Sequence, residues 1–152
     1  MNRLLKLLLK LRAWLEAMPY SVLAVPLRFG LAWIFWSSAQ VKLLNWDRAV
    51  QQFADEFQVP LLPPDVAASM TLAIEIACPI LLVLGLFTRF AVLVLLAMTA
   101  VIQIFVFPEA WPTHMQWTAM ILVLLCRGAG VFSVDHFLWH LFAPKWQAKP
   151  AS

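Results

Sequence analysis

Apolar residues in this chain fall into long runs separated by short polar or proline-rich breaks. The first run, about Val22 to Leu44, is close to the ~20 residues a helix needs to cross hydrocarbon. The second extends from about Val66 to Leu86 and the third from about Phe90 to Phe107. A fourth and shorter run, about residues 113–130, ends at the glycine turn Gly128 to Gly130. The pattern predicts an all-α chain with a four-transmembrane-helix bundle over residues 21–131.

The breaks carry signals of their own. Asn45 is an N-cap residue type at the head of NWDRAVQQFADEFQVPLLPPD, where Trp46, Val50, Phe53 and Phe57 share one face of a short helix. The proline-rich PLLPPD stops that helix, and Asp65 stands where it can cap the second span. GLFTR, residues 85–89, is a tight connection, and PEAWPTH, residues 108–114, is a short turn.

Residues 1–20 set Arg3, Lys6 and Lys10 on one helical face among leucines, as in a basic amphipathic helix lying on a membrane surface. The two lysines interrupt the apolar stretch and no small-x-small site follows, so a surface helix is expected rather than a cleaved signal. At the other end, residues 132–152 begin with Ser133 as the N-cap of SVDHFLWHLF and finish in a polar tail. The expected plan is therefore four spans with short amphipathic helices at the N-terminus, the first outer loop and the C-terminus.

Composition makes lipid the natural solvent. Of the 152 residues, 63% are hydrophobic and 12% charged, with a mean hydropathy of +0.83. Soluble domains carry roughly a quarter charged residues. The net charge of +3 does not point to nucleic acid, because the basic residues sit at the chain ends and in one loop.

Their distribution also orients the chain. With the N-terminus inside, the cytoplasmic side receives Arg3, Lys6, Lys10, Arg12, Arg89, Arg127, Lys145 and Lys149. The outer side receives Arg48, with Lys42 at its border, and the acids Asp47, Asp55, Glu56, Asp65 and Glu109. Lysine and arginine accumulate in cytoplasmic loops, so both termini are expected in the cytoplasm. Trp46, Trp111 and Trp117 form an outer aromatic belt, and Trp14, Tyr20 and Trp139 an inner one.

Ionisable side chains inside a span cost ~2.5–3.5 kcal/mol each and mark function or a buried pair. Arg28 and Glu75 are the clearest cases. At ~1.5 Å of rise per residue, Arg28 lies roughly 9 Å from the inner end of its span, Glu75 roughly 18 Å and Gln103 about 20 Å. Pro79 lacks the N–H that would bond the Glu75 carbonyl. Two readings stand side by side. Arg28 and Glu75 pair simply to fix helix register, or Arg28, Glu75 and Gln103 form a polar pocket for a quinone head group, a proton or a small solute.

A second polar group gathers at the outer border: Gln40, Lys42, Glu109 and His114. Lys42 is able to snorkel to the interface, and a lone histidine is a weak metal signal. His136 and His140 stand at i and i+4, but two ligands do not make a metal site, and no metal is expected. Cys78 and Cys126 read as small hydrophobes, a redox pair being the lesser alternative.

Three segments together resemble the DoxX family of small bacterial integral membrane proteins. They are RFGLAWIFWSSAQVK with Arg28, Gly30 and Lys42, EIACPILLVLGLFTRFA from Glu75 to Ala91, and RGAGVFSVD from Arg127 to Asp135. The resemblance covers about residues 22–136 and carries over Arg89, Gly128, Gly130 and Asp135 as motif residues. It implies a four-helix protein of the bacterial inner membrane, with relatives linked to quinone-coupled sulfur oxidation, redox defence and metal handling.

With no complete catalytic or cofactor-ligating set in the chain, the expected role is a non-catalytic accessory subunit of a redox or metal-stress system. Its cofactor would be a quinone, and its partners the bilayer and a soluble redox or metal-handling protein. The alternatives are a small transporter of a metal or organic solute, which four spans allow most readily in a homo-oligomer, and a structural membrane anchor.

Overall fold

The computed structural model describes residues 3–57 and 62–142, and no strand occurs among them. The tail over 143–152, with Lys145 and Lys149, and Pro60 of the proline-rich stop lie outside the described residues.

Among the described residues, seven α-helices follow in order: α1 (Arg3–Glu16), α2 (Tyr20–Leu44), α3 (Trp46–Gln52), α4 (Pro64–Leu84), α5 (Thr88–Val101), α6 (Trp111–Arg127) and α7 (Val134–Phe142). Widened π-turns at Phe53–Phe57 and Ile102–Val106 extend α3 and α5, and a 3₁₀ turn at Pro108–Ala110 leads into α6. α2, α4 and α5 with its extension are long and apolar enough to cross a membrane. α6, with 17 residues, covers ~25 Å.

α2 packs on α4, α4 on α5, α5 on α6, and α6 returns to α2, closing a ring. Inside it Leu31, Phe35, Leu82, Leu95, Ile121 and Leu124 are fully buried. The outer faces are apolar too: Phe29, Trp33, Ile80, Phe90, Leu93 and Leu122 are all exposed. A surface of this kind suits lipid, and helices satisfy their own backbone groups there. α1 and α7 bury no residue among those described.

Local chemistry explains most boundaries. Asn45 Oδ1 accepts the Arg48 N–H at 3.3 Å and caps α3. Ser133 Oγ accepts the His136 N–H at 3.2 Å and caps α7. Asp65 does not cap α4: the helix begins one residue earlier, with Pro64 at its first position, where a missing N–H costs nothing. α4 ends at Gly85 (φ +66°), where Leu86 N–H bonds Leu81 O and Gly85 N–H bonds Leu82 O. Phe53 and Phe57 stack edge to face at 5.0 Å, and Phe57 meets Phe107 at 5.3 Å. The α3 segment is thereby folded over one end of the bundle. The α4–α5 turn and the loop of residues 128–133 lie at the other.

Candidate functional site

Arg28 and Glu75 are both 2% exposed, yet they do not pair. The guanidinium of Arg28 is given wholly to backbone carbonyls. Nε donates to Leu82 O at 2.7 Å and Nη2 to Val83 O at 2.7 Å. Nη1 donates to Phe132 O at 2.7 Å and to Ala129 O at 3.2 Å. Leu82 and Val83 belong to the last turn of α4, whose carbonyls carry the negative end of the helix dipole. Arg28 thus ties the end of α4 to the loop after α6.

The reason Arg28 misses Glu75 is directional. Cα–Cβ bonds tilt toward a helix's own N-terminus. Arg28 on α2 therefore slants toward the α4–α5 turn, and Glu75 on antiparallel α4 slants the opposite way. Seven residues of α4 separate Leu82 from Glu75, or ~10 Å. Pairing the two, roughly 9 Å apart in depth, would need the Arg28 side chain to extend toward Glu75 against this slant.

Glu75 pairs with Lys42 instead. Lys42 Nζ donates to Glu75 Oε1 at 2.9 Å and Oε2 at 2.8 Å, and to Ser38 Oγ at 2.9 Å. The side chain of Glu75 is 3% exposed and that of Lys42 13%. All three ammonium hydrogens are engaged, so Lys42 does not simply snorkel. A cavity of about 550 Å³ opens over this cluster toward the α3 end. Ser38 and Lys42 line it together with Asn45, Arg48, Gln52 and Phe57.

Gln103 joins neither Arg28 nor Glu75. It lies in the π-turn of Ile102–Val106, where Nε2 donates to Pro108 O at 2.8 Å and Oε1 accepts His114 Nδ1 at 2.6 Å. His114 is buried, with its ring 5.1 Å from Trp117, and Trp117 meets Phe35 edge to face at 5.4 Å. The expected outer-border group is thereby divided. Lys42 goes to Glu75 and His114 to Gln103, while Gln40 and Glu109 are exposed.

The motif residues gather near the α4–α5 turn and the loop after α6. Asp135 accepts the Phe87 N–H at 2.7 Å and the Thr88 N–H at 3.0 Å, capping α5. A Cβ on Gly130 would stand 3.0 Å from Ser21 Cα, which explains a glycine there. Arg89 reaches Cys126 O at 3.5 Å, and Gly128 accepts from Tyr20 Oη at 2.7 Å. His136 and His140 bring their Nε2 atoms to 3.1 Å. Cys78 is buried, Cys126 is exposed, and both thiols are free.

Part of this polar set lies on a stretch of sequence that a protein family shares. A family model for DoxX matches residues 23–108, more than half of the chain and the part that holds Arg28, Lys42, Glu75 and Gln103. The chain belongs to the DoxX family. Membership and the three long apolar helices make it a multi-pass membrane protein. An uncharacterized protein of Haemophilus influenzae is 28% identical, over 78% of this chain and 85% of that one. No solved structure matches.

Proposed function

We propose that this DoxX protein is a four-span accessory subunit of a redox or metal-stress system in the bacterial inner membrane, presenting Lys42 and Glu75 to a quinone head group. The observation that carries this reading is the buried Lys42–Glu75 pair at 2.8 Å in a bundle whose outer surface is apolar. Charges in such a place are expensive, and they mark ligand or proton sites by default.

The residues present fit a quinone. Lys42 Nζ would donate to a quinone carbonyl oxygen in exchange for its bond to Ser38, and the Glu75 carboxylate, one hydrogen bond away, would accept a proton and return it once protonated. The cavity beside Lys42 and Ser38 is polar on the side of Asn45, Arg48 and Gln52 and aromatic at Phe57. In this reading the electrons come from a partner protein.

The fourth crossing is supported by α6 packing against both α5 and α2. At ~25 Å it suits a membrane that thins slightly around it. Cytoplasmic termini are supported by the lysine and arginine bias of the connecting segments.

The test is the quinone content of protein purified in mild detergent. Wild type is expected to carry bound quinone, and Glu75→Gln to lose it while remaining folded. Equal content in the two proteins would overturn the reading.

A further inference from the structure

At the opposite end of the bundle, positive charge, a cavity and aromatic surface coincide. A cavity of about 610 Å³ opens beside the loop of residues 128–130, lined by Arg89, Arg127 and His136. Both arginines are exposed, and among the described residues neither meets a carboxylate. Arg89 reaches Cys126 O at 3.5 Å, a long bond, and Arg127 lies 5.8 Å above the Tyr20 ring. Asp135 is also on the cavity wall, but its two oxygens accept from the backbone of Phe87 and Thr88. The same cavity is walled by Phe87, Phe90 and Trp139, which are 65%, 64% and 71% exposed.

We propose that this cavity binds the phosphate head group of an anionic phospholipid, whose acyl chains run along Phe87, Phe90 and Trp139. Guanidinium forks match phosphate oxygens two bonds at a time. Basic pockets between spanning helices on the cytoplasmic side take anionic head groups, and tryptophan favours the head-group level. A soluble phosphate would engage the arginines and leave three large aromatic rings facing water. A lipid covers both. The site uses none of Ser38, Lys42 or Glu75, so it stands apart from the quinone reading.

The experiment reconstitutes the full chain in nanodiscs of equal parts phosphatidylglycerol and phosphatidylcholine, then counts the lipid retained in mild detergent by native mass spectrometry. Wild type is expected to keep phosphatidylglycerol selectively, and R89Q/R127Q to keep about tenfold less. R89K/R127K, which preserves the charge, should keep an intermediate amount. K6Q/K10Q, which removes charge from α1, should match wild type, and excess inorganic phosphate should displace nothing. Equal retention of the two lipids would overturn the proposal. So would a loss in R89K/R127K as deep as in the glutamine pair, which would mean a purely structural role. A loss of the same size in K6Q/K10Q would also sink it, and displacement by phosphate would show a phosphate site without lipid selectivity.

Discussion

Lys42 Nζ closes on both carboxylate oxygens of Glu75, at 2.9 and 2.8 Å, across the antiparallel helices α2 and α4. The two residues begin at different depths and converge because each side chain slants toward the N-terminus of its own helix. Ser38, one turn before Lys42, completes the cluster from the same face of α2.

A buried pair of this kind makes single and double replacements behave differently. Lys42→Met or Glu75→Leu alone leaves one buried charge without its counterpart, a loss of ~3–5 kcal/mol. The double replacement K42M/E75L removes both and is expected to be near neutral in stability. Unfolding titrations in detergent micelles check this. If the double variant also keeps biological activity in cells, a structural anchor becomes the better account and the quinone reading falls.

Arg28 and Glu75 are expected to be energetically independent, since their hydrogen bonds go to different partners. In a double-mutant cycle with Arg28→Gln and Glu75→Gln, the coupling should stay within ~0.5 kcal/mol. The cycle with Lys42→Gln and Glu75→Gln should show ~0.5–3 kcal/mol. A large coupling in the first cycle would contradict the observed geometry. Arg28→Gln alone should still be costly, because hydrogen bonds from a charged group contribute ~1.5–3 kcal/mol each.

The helices were legible in the sequence because apolar runs and breaks are local information. Asn45 and Ser133 were readable as caps for the same reason, since a cap reports only on the next three residues. Asp65 misled because Pro64, beside it, is as good a helix starter. The polar centre was only half legible. Arg28, Glu75 and Gln103 were found by their charge or polarity, but counting depth along straight axes treats side chains as points at Cα. Lys42 belonged with Glu75 by the slant of its stem, and His114 met Gln103 across a π-turn that no simple periodicity announces.

Asp135 is expected to hold the start of α5 in place. Asp135→Ala leaves the Phe87 and Thr88 N–H groups without their acceptor, a loss of ~0.5–2 kcal/mol by comparison with other helix caps. The carboxylate also favours the positive end of the α5 dipole. Hydrogen exchange at the Phe87 and Thr88 amides should accelerate, while amides in the middle of α4 stay protected. Uniform acceleration across α4 would show that the cap supports the whole bundle rather than one helix end.

Gly85 and Gly30 should respond in opposite directions to the same change. At Gly85 (φ +66°) an alanine Cβ would lie 2.6 Å from Ser133 Cβ and 2.9 Å from Arg28 Nη2. Neither neighbour is free to withdraw. Ser133 Oγ is bonded to Gly130 O at 2.6 Å and accepts from His136 N, and Arg28 is fixed by its four carbonyls. Gly85 itself accepts the Asp135 N–H at 2.9 Å, so the backbone is held as well. The left-handed conformation adds ~1–2 kcal/mol for any residue with a Cβ. Gly30, by contrast, lies within α2 with nothing within 4 Å of the added Cβ. There alanine gains ~0.8–1.0 kcal/mol of helix propensity. Thermal unfolding of both variants in one detergent is expected to show Gly85→Ala below wild type and Gly30→Ala at or above it. A neutral Gly85→Ala would mean that the junction of Arg28, Gly85 and Ser133 yields where its hydrogen bonds say it is fixed.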